Sequence, residues 1–220
     1  MRLKTLLVPI AAAAFAMASG AQAATVYDTT VTAATANLFG FGVTYDNFAL
    51  TTVGDIELGL RARYRVRPTQ PSDGAGNYGP FPAGTQTAAF GSPARADRAE
   101  WSYDYFIRDL GVPAGESYTL CVDGDCANPL LVPDNNGSLA GGLGNSLQLL
   151  FPDSPGHAGY NILAGGIHNF TLSASTANGA LIGTTAITAS VTAAVPEPET
   201  YALMLAGLGA VGFFARRRKA

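Results

Sequence analysis

The sequence predicts an all-β protein: a single antiparallel β-sandwich, Ig-like or jelly-roll-like, over residues 24–194, flanked by an N-terminal signal helix and a C-terminal membrane helix. Three observations carry this expectation. Segments of apolar–polar alternation recur along the middle of the chain. Turn residues punctuate them roughly every ten positions. Both ends of the chain are apolar and carry basic residues at their outer limits. Of 26 Gly and 13 Pro, 22 and ten fall between those ends, a density that argues against a helical bundle or a long coiled coil.

Residues 1–23 have the three parts of a signal peptide in order: Arg2 and Lys4, an apolar run from Leu6 to Ala18, and the small residues Ala21 and Ala23. Small side chains at −3 and −1 fit signal peptidase, so cleavage after Ala23 is expected. Residues 56–67 give the clearest strand. Ile56, Leu58, Leu60, Ala62, Tyr64 and Val66 alternate with Glu57, Gly59, Arg61, Arg63, Arg65 and Arg67, and Pro68 closes the run. Residues 68–97 form a long excursion of Pro, Gly, Ser, Ala, Thr and Gln carrying Tyr78, Phe81 and Phe90. Residues 99–105 alternate again, with Trp101, Tyr103 and Tyr105 on the inner face. Ser117–Val122, His168–Ala174 and Ile182–Val191 also read as strands, and the Gly-rich residues 134–145 as an irregular connection.

Charge separates the middle from the ends. The ends hold six of the 13 basic residues (Arg2, Lys4, Arg216, Arg217, Arg218 and Lys219) and two of the 16 acidic ones (Glu197 and Glu199). The middle therefore carries seven arginines against 14 carboxylates, a formal charge of −7. Such a surface excludes nucleic-acid binding driven by charge.

Residues 195–220 combine Pro196, Glu197 and Pro198, an apolar helix over 201–215, and Arg216, Arg217 and Arg218. Fifteen helical residues span about 22 Å, short of the roughly 30 Å hydrocarbon core, and Tyr201 and the snorkelling arginines extend the match. Basic residues at both outer ends place both termini on the cytoplasmic side, with the acidic middle translocated. This tail resembles the PEP-CTERM sorting signal of Gram-negative bacteria. In that family the tail is read by exosortase, a membrane-embedded cysteine transpeptidase. The resemblance thus implies transient membrane anchoring, then delivery to the cell surface or extracellular matrix. More loosely, Ser117–Asp123, Asn145–Gln148 and His168–Ala174 resemble the ectodomains of uncharacterised PEP-CTERM proteins, which implies a shared sandwich and no activity.

Candidate chemistry in the middle is sparse. Cys121 and Cys126 enclose Asp123-Gly124. A two-residue type I′ turn there sets the cysteines opposite each other with Cα atoms about 4.5 Å apart, which predicts a structural disulfide. Asp123, Asp125 and Asp134-Asn135-Asn136 are hard oxygen ligands but do not fit the EF-hand spacing, so no metal or other cofactor is expected. His157 and His168 lack motif-spaced Ser and Asp partners, and no Gly-x-Ser-x-Gly occurs, so no catalytic residue is assigned. The arginine row is the most distinctive feature. Arg61, Arg63, Arg65 and Arg67 share one strand face at about 6.6 Å spacing. They are a ligand face for acidic polysaccharide, or they pair across strands with Glu100 and Asp104 if residues 56–67 and 99–107 form a hairpin.

The expected function is that of an exported, non-enzymatic surface or matrix protein, structural or adhesive in exopolysaccharide or biofilm. Its expected partners are exosortase, signal peptidase and exopolysaccharide. The alternatives are a carbohydrate-binding module using the Arg61–Arg67 face or the 68–97 loop, and, more remotely, a polysaccharide hydrolase.

Overall fold

The structure, a computed structural model, describes residues 23–31, 37–39, 44–65, 67–88, 92–111, 115–126, 142–150, 156–161, 163–193 and 203–208. The chain is mostly β. Its strands are β1 (Thr25–Thr29), β2 (Asn37–Phe39), β3 (Phe48–Val53), β4 (Ile56–Tyr64), β5 (Asn77–Pro82), β6 (Thr85–Gln86), β7 (Arg95–Ala99), β8 (Trp101–Asp109), β9 (Ser117–Val122), β10 (Leu143–Leu147), β11 (Gly166–Ser175) and β12 (Leu181–Thr192). They form a six-stranded sheet in the order β1-β3-β4-β8-β10-β2, a four-stranded sheet β5-β12-β11-β9 and a two-stranded ribbon β6-β7.

The pairing expected between residues 56–67 and 99–107 is present. β4 lies antiparallel to β8 with Arg61 opposite Asp104, Arg63 opposite Ser102 and Tyr64 opposite Trp101. Past the end of β4, the Arg65 N–H still donates to the Glu100 carbonyl at 3.1 Å. The 68–97 excursion is more structured than its composition suggests. It supplies β5 and the ribbon, whose β7 leads directly into β8. The expectation of a purely antiparallel arrangement is corrected at two places: β5 runs parallel to β12, and β2 runs parallel to β10. Parallel neighbours need long connections, which local alternation does not report.

The two larger sheets enclose one core. Leu58, Leu60 and Ala62 of β4 and Trp101, Tyr103 and Tyr105 of β8 meet Phe170 and Leu172 of β11 and Ile187 and Ala189 of β12. The leucine, isoleucine and phenylalanine side chains among them stabilise the fold by about 1.5–3 kcal/mol each on full burial. The excursion returns to this core: Phe81 stacks on Trp101 at 5.4 Å with 9° between the planes. Polar contacts also cross the layers: the buried Thr185 hydroxyl donates to the Leu58 carbonyl at 2.9 Å, and the Tyr118 hydroxyl to Asp109 at 2.6 Å.

The signal helix over residues 1–22, including Ala21, lies outside the described residues, as do Pro196, Glu197, Pro198, Arg216, Arg217 and Arg218. Within 201–215, residues 203–208 are helical and exposed. Among the described residues no helix is long and apolar enough to cross a membrane.

Candidate functional site

Alternation along β4 predicts one buried face and one solvated one. Both are buried. Arg61, Arg63 and, just past the strand's end, Arg65 are 0%, 1% and 7% exposed, and Glu100, just before β8, and Ser102 and Asp104 on β8 are buried beside them. The second face is covered first by an apolar cluster of Val31, Phe48 and Phe106. Gly59 makes room for it, since a Cβ there would stand 3.1 Å from both Phe48 and Phe106. Arg61 continues this cover, its guanidinium 4.4 Å from the Phe48 ring centre.

Beyond the cluster the face is held by charge. Arg61 Nε and Nη2 donate to Asp104 Oδ2 at 2.8 and 2.6 Å, and Arg63 Nε donates to the same oxygen at 2.7 Å. Arg61 Nη1 reaches the Thr44 hydroxyl, the Asp46 carbonyl and the Asp46 carboxylate. The Thr44 and Thr69 hydroxyls donate to that carboxylate in turn. Against the opposing effect of partial burial, they hold Asp46 below the ordinary aspartate pKa. Arg63 Nη2 donates to the Ser146 hydroxyl on β10 at 3.2 Å. Two buried guanidinium groups therefore share one buried carboxylate. Removing either member of such a pairing costs far more than the pair contributes over an apolar substitute.

The two ends of the row differ from its middle. Arg67 is 44% exposed and donates to Glu100 at 3.3 Å. Arg65 is buried, yet its Nε donates to the Gln86 carbonyl oxygen at 3.3 Å and not to a carboxylate. Glu100, although opposite Arg65, spends its oxygens on the Thr87 N–H and hydroxyl and on Arg67. Burial, reinforced by the neighbouring charges of Arg98 and Arg63, lowers Arg65 to about 10. Of the two expectations for the row, cross-strand pairing is the one present: Asp104 pairs with Arg61 and Arg63 and Glu100 with Arg67, but the row is buried over Arg61, Arg63 and Arg65 and open only at Arg67.

The cysteine hairpin has the expected geometry. Cys121 and Cys126 are joined in a disulfide with Cα atoms 4.4 Å apart. Val122 faces Asp125, and Asp123 and Gly124 both have positive φ, at 53° and 85°. The Asp123 carboxylate is already occupied, by His168 Nδ1 at 2.7 Å and the Asn169 N–H at 2.7 Å. Asp125 accepts from the Gly156 N–H at 2.9 Å. Residues 134–136 lie outside the described residues. Among the described residues no group of three or more His, Cys, Asp or Glu could hold a metal ion.

His168 packs against Trp101 and Tyr160 at 5.7 and 5.5 Å, and His157 Nδ1 bonds the Leu149 carbonyl at 2.8 Å. Tyr78 and Phe81 are buried, and burial raises the Tyr78 phenol well above its usual value. Neither ring is available to stack on a sugar, and Phe90 lies outside the described residues. A shallow groove of about 230 Å³ on the other side of the four-stranded sheet is lined by Asn77, Asn169, Thr171 and Thr188. It offers hydroxyl and amide groups, and the Thr188 hydroxyl is already bonded to Asn77.

None of these arrangements assembles a nucleophile, a base and an oxyanion donor. The region that carries recognisable chemistry is the tail. Residues 194–219 match the PEP-CTERM protein-sorting motif. The matched stretch contains Pro196, Glu197, Pro198, Arg216, Arg217 and Arg218. A PEP-CTERM tail marks a chain for export and for sorting by exosortase through a C-terminal anchor, so the tail is the chain's address and the β-rich region ahead of it is what is delivered. The chain matches no curated protein and no solved structure.

Sequence reasoning singled out Asp104 and Glu100 but missed Thr44, Asp46, Gln86, Arg98, Ser146 and Gln148. A faint signal existed for the last two. Gly144, Ser146 and Gln148 alternate with Leu143, Asn145 and Leu147, and the Ser146 hydroxyl accepts from Arg63. Nothing in the sequence places Thr44 or Asp46 over Arg61.

Proposed function

We propose that the protein is an exported, non-enzymatic surface or matrix component, whose β-sandwich ectodomain is structural or adhesive in exopolysaccharide or biofilm. Signal peptidase removes residues 1–23 after Ala23. Exosortase then reads the tail, while the helix over 201–215 holds the chain in the inner membrane with its C-terminus cytoplasmic. Processing at the tail releases the ectodomain to the cell surface or the matrix.

The match of residues 194–219 to the sorting motif carries this reading. The rest of the chain is consistent with it. A disulfide suits an oxidising compartment outside the cytoplasm. The acidic middle suits a translocated segment flanked by basic ends. Both histidines are tied to structural partners.

The test is the triple variant P196A/E197A/P198A, expressed in a host that has an exosortase. Export should continue, and an unprocessed form should accumulate in the membrane fraction. Processing and release at the wild-type rate would remove the sorting reading.

A further inference from the structure

We propose that residues 163–167, at the end of the β-rich region from which the tail departs, rest on the lipid surface while the tail anchors the chain. The proposal depends on the anchoring set out above and names the part of the ectodomain that meets the bilayer. β12 ends at Thr192, and the sorting motif begins at residue 194. The 163–167 segment lies directly against this exit. A Cβ on Gly165 would stand 2.5 Å from the Ala193 nitrogen and 2.9 Å from the Val191 carbonyl oxygen, an approach that only glycine permits. Gly166 then pairs with Val191, and Ile167 with Ser190, across the β11–β12 ladder.

Two observations give this segment its partner. All five residues are exposed, and they include Leu163 at 61% and Ile167 at 67%. Further along β11, Phe170 and Leu172 enter the core instead. The second observation is charge. Residues 156–168 contain no Asp, Glu, Lys or Arg, although they lie in an acidic domain. Their titratable side chains are His157, Tyr160 and His168. The carboxylates that reach this stretch are occupied, Asp123 by His168 and the Asn169 N–H, and Asp125 by the Gly156 N–H. Anionic lipid repels an acidic domain, so an uncharged segment with exposed apolar side chains is the part suited to touch it.

Distance allows the contact. The eight residues from Ala193 to Tyr201, where the apolar stretch begins, reach at most about 28 Å when fully extended. Two apolar side chains hold lipid only weakly from solution. The anchored tail makes the contact intramolecular and raises its effective concentration. Processing of the tail removes that advantage, so the contact is given up when the ectodomain is released. Leu181 is a built-in control. It is 62% exposed but stands at the opposite end of β12, about 36 Å from Thr192 at 3.3 Å per residue.

The experiment uses the full chain isolated from the membrane of a host without exosortase. Variants L163C, I167C, L181C and L205C each carry a nitroxide label and are reconstituted into vesicles of phosphatidylethanolamine and phosphatidylglycerol. Power-saturation electron paramagnetic resonance, with oxygen and a water-soluble nickel complex, reads the depth of each label. Labels at 163 and 167 should lie about 5–10 Å below the headgroup surface, and the label at 181 in water. Near-UV circular dichroism checks each fold, and either of the two segment positions suffices if the other variant misfolds. The label at 205 separates this proposal from the anchoring. If it is immersed while those at 163 and 167 are in water, lipid contact is overturned and the anchoring stands. If it is in water as well, the anchoring fails and the proposal falls with it. Equal immersion at 163, 167 and 181 would mean unspecific adsorption and would also overturn it. So would shielding of 163 and 167 that appears only when exosortase is added to the vesicles, since the partner would then be protein.

Discussion

The two faces of β4 are both buried, but by opposite means. On one, Leu58, Leu60 and Ala62 enter an apolar core whose stability follows from the area withdrawn from water. On the other, Arg61 and Arg63 are withdrawn equally completely and are stable only because one carboxylate, Asp104, is withdrawn with them. Apolar burial degrades gradually when a contact is lost. Charged burial has no such tolerance, because a single deletion leaves an uncompensated ion in a region of low dielectric. The lesson for this fold is that the outer face specifies its partners more strictly than the inner one.

The sharpest way to break this comparison is D104A, which strands both guanidinium groups. A loss of about 3–5 kcal/mol is expected, read from the urea midpoint at unchanged slope. A loss below about 1 kcal/mol would mean that water reaches the arginines and that the face is not sealed. L60A tests the opposite face. It should cost about 3 kcal/mol, within the range for truncating a buried leucine, and cavity relaxation should make it milder than D104A. The smallest effect belongs to R67A. Its partner Glu100 is buried, but Arg67 itself is 44% exposed and Thr87 still supplies Glu100 with donors. An exposed pair of this kind contributes about 0.2–1 kcal/mol. A cost comparable with that of D104A would show that the row acts as one charged unit, with no division between its ends.

Much of the fold could be read from local pattern. β9 coincides with the expected strand, β11 and β12 contain theirs, and the antiparallel pairing of residues 56–67 with 99–107 follows from their shared alternation. The disulfide was legible because a two-residue turn fixes its geometry within six residues. The parallel places of β5 and β2 were not, since both pair with strands far along the chain. The arginine row and its pairing with Asp104 and Glu100 were legible, but its burial was not. Alternation reports that two faces differ in polarity, not that one of them is wet.

The sequence by itself determined the address: a signal peptide pattern, an acidic middle and a tail whose Pro-Glu-Pro, apolar run and arginines act through their order along the chain. These are linear signals, and a linear reading suffices for them. Only the tertiary structure decided what the arginines do. Thr44, Asp46, Gln86, Arg98, Ser146 and Gln148 come from segments spread over about a hundred residues. Which guanidinium receives the Asp104 carboxylate, and which receives only a neutral amide, depends on distances of about 3 Å that exist only once the sheets have packed. Charge pairing falls off over such distances, so position along the chain does not predict it, and the fold alone gives Arg65 a neutral amide as its acceptor.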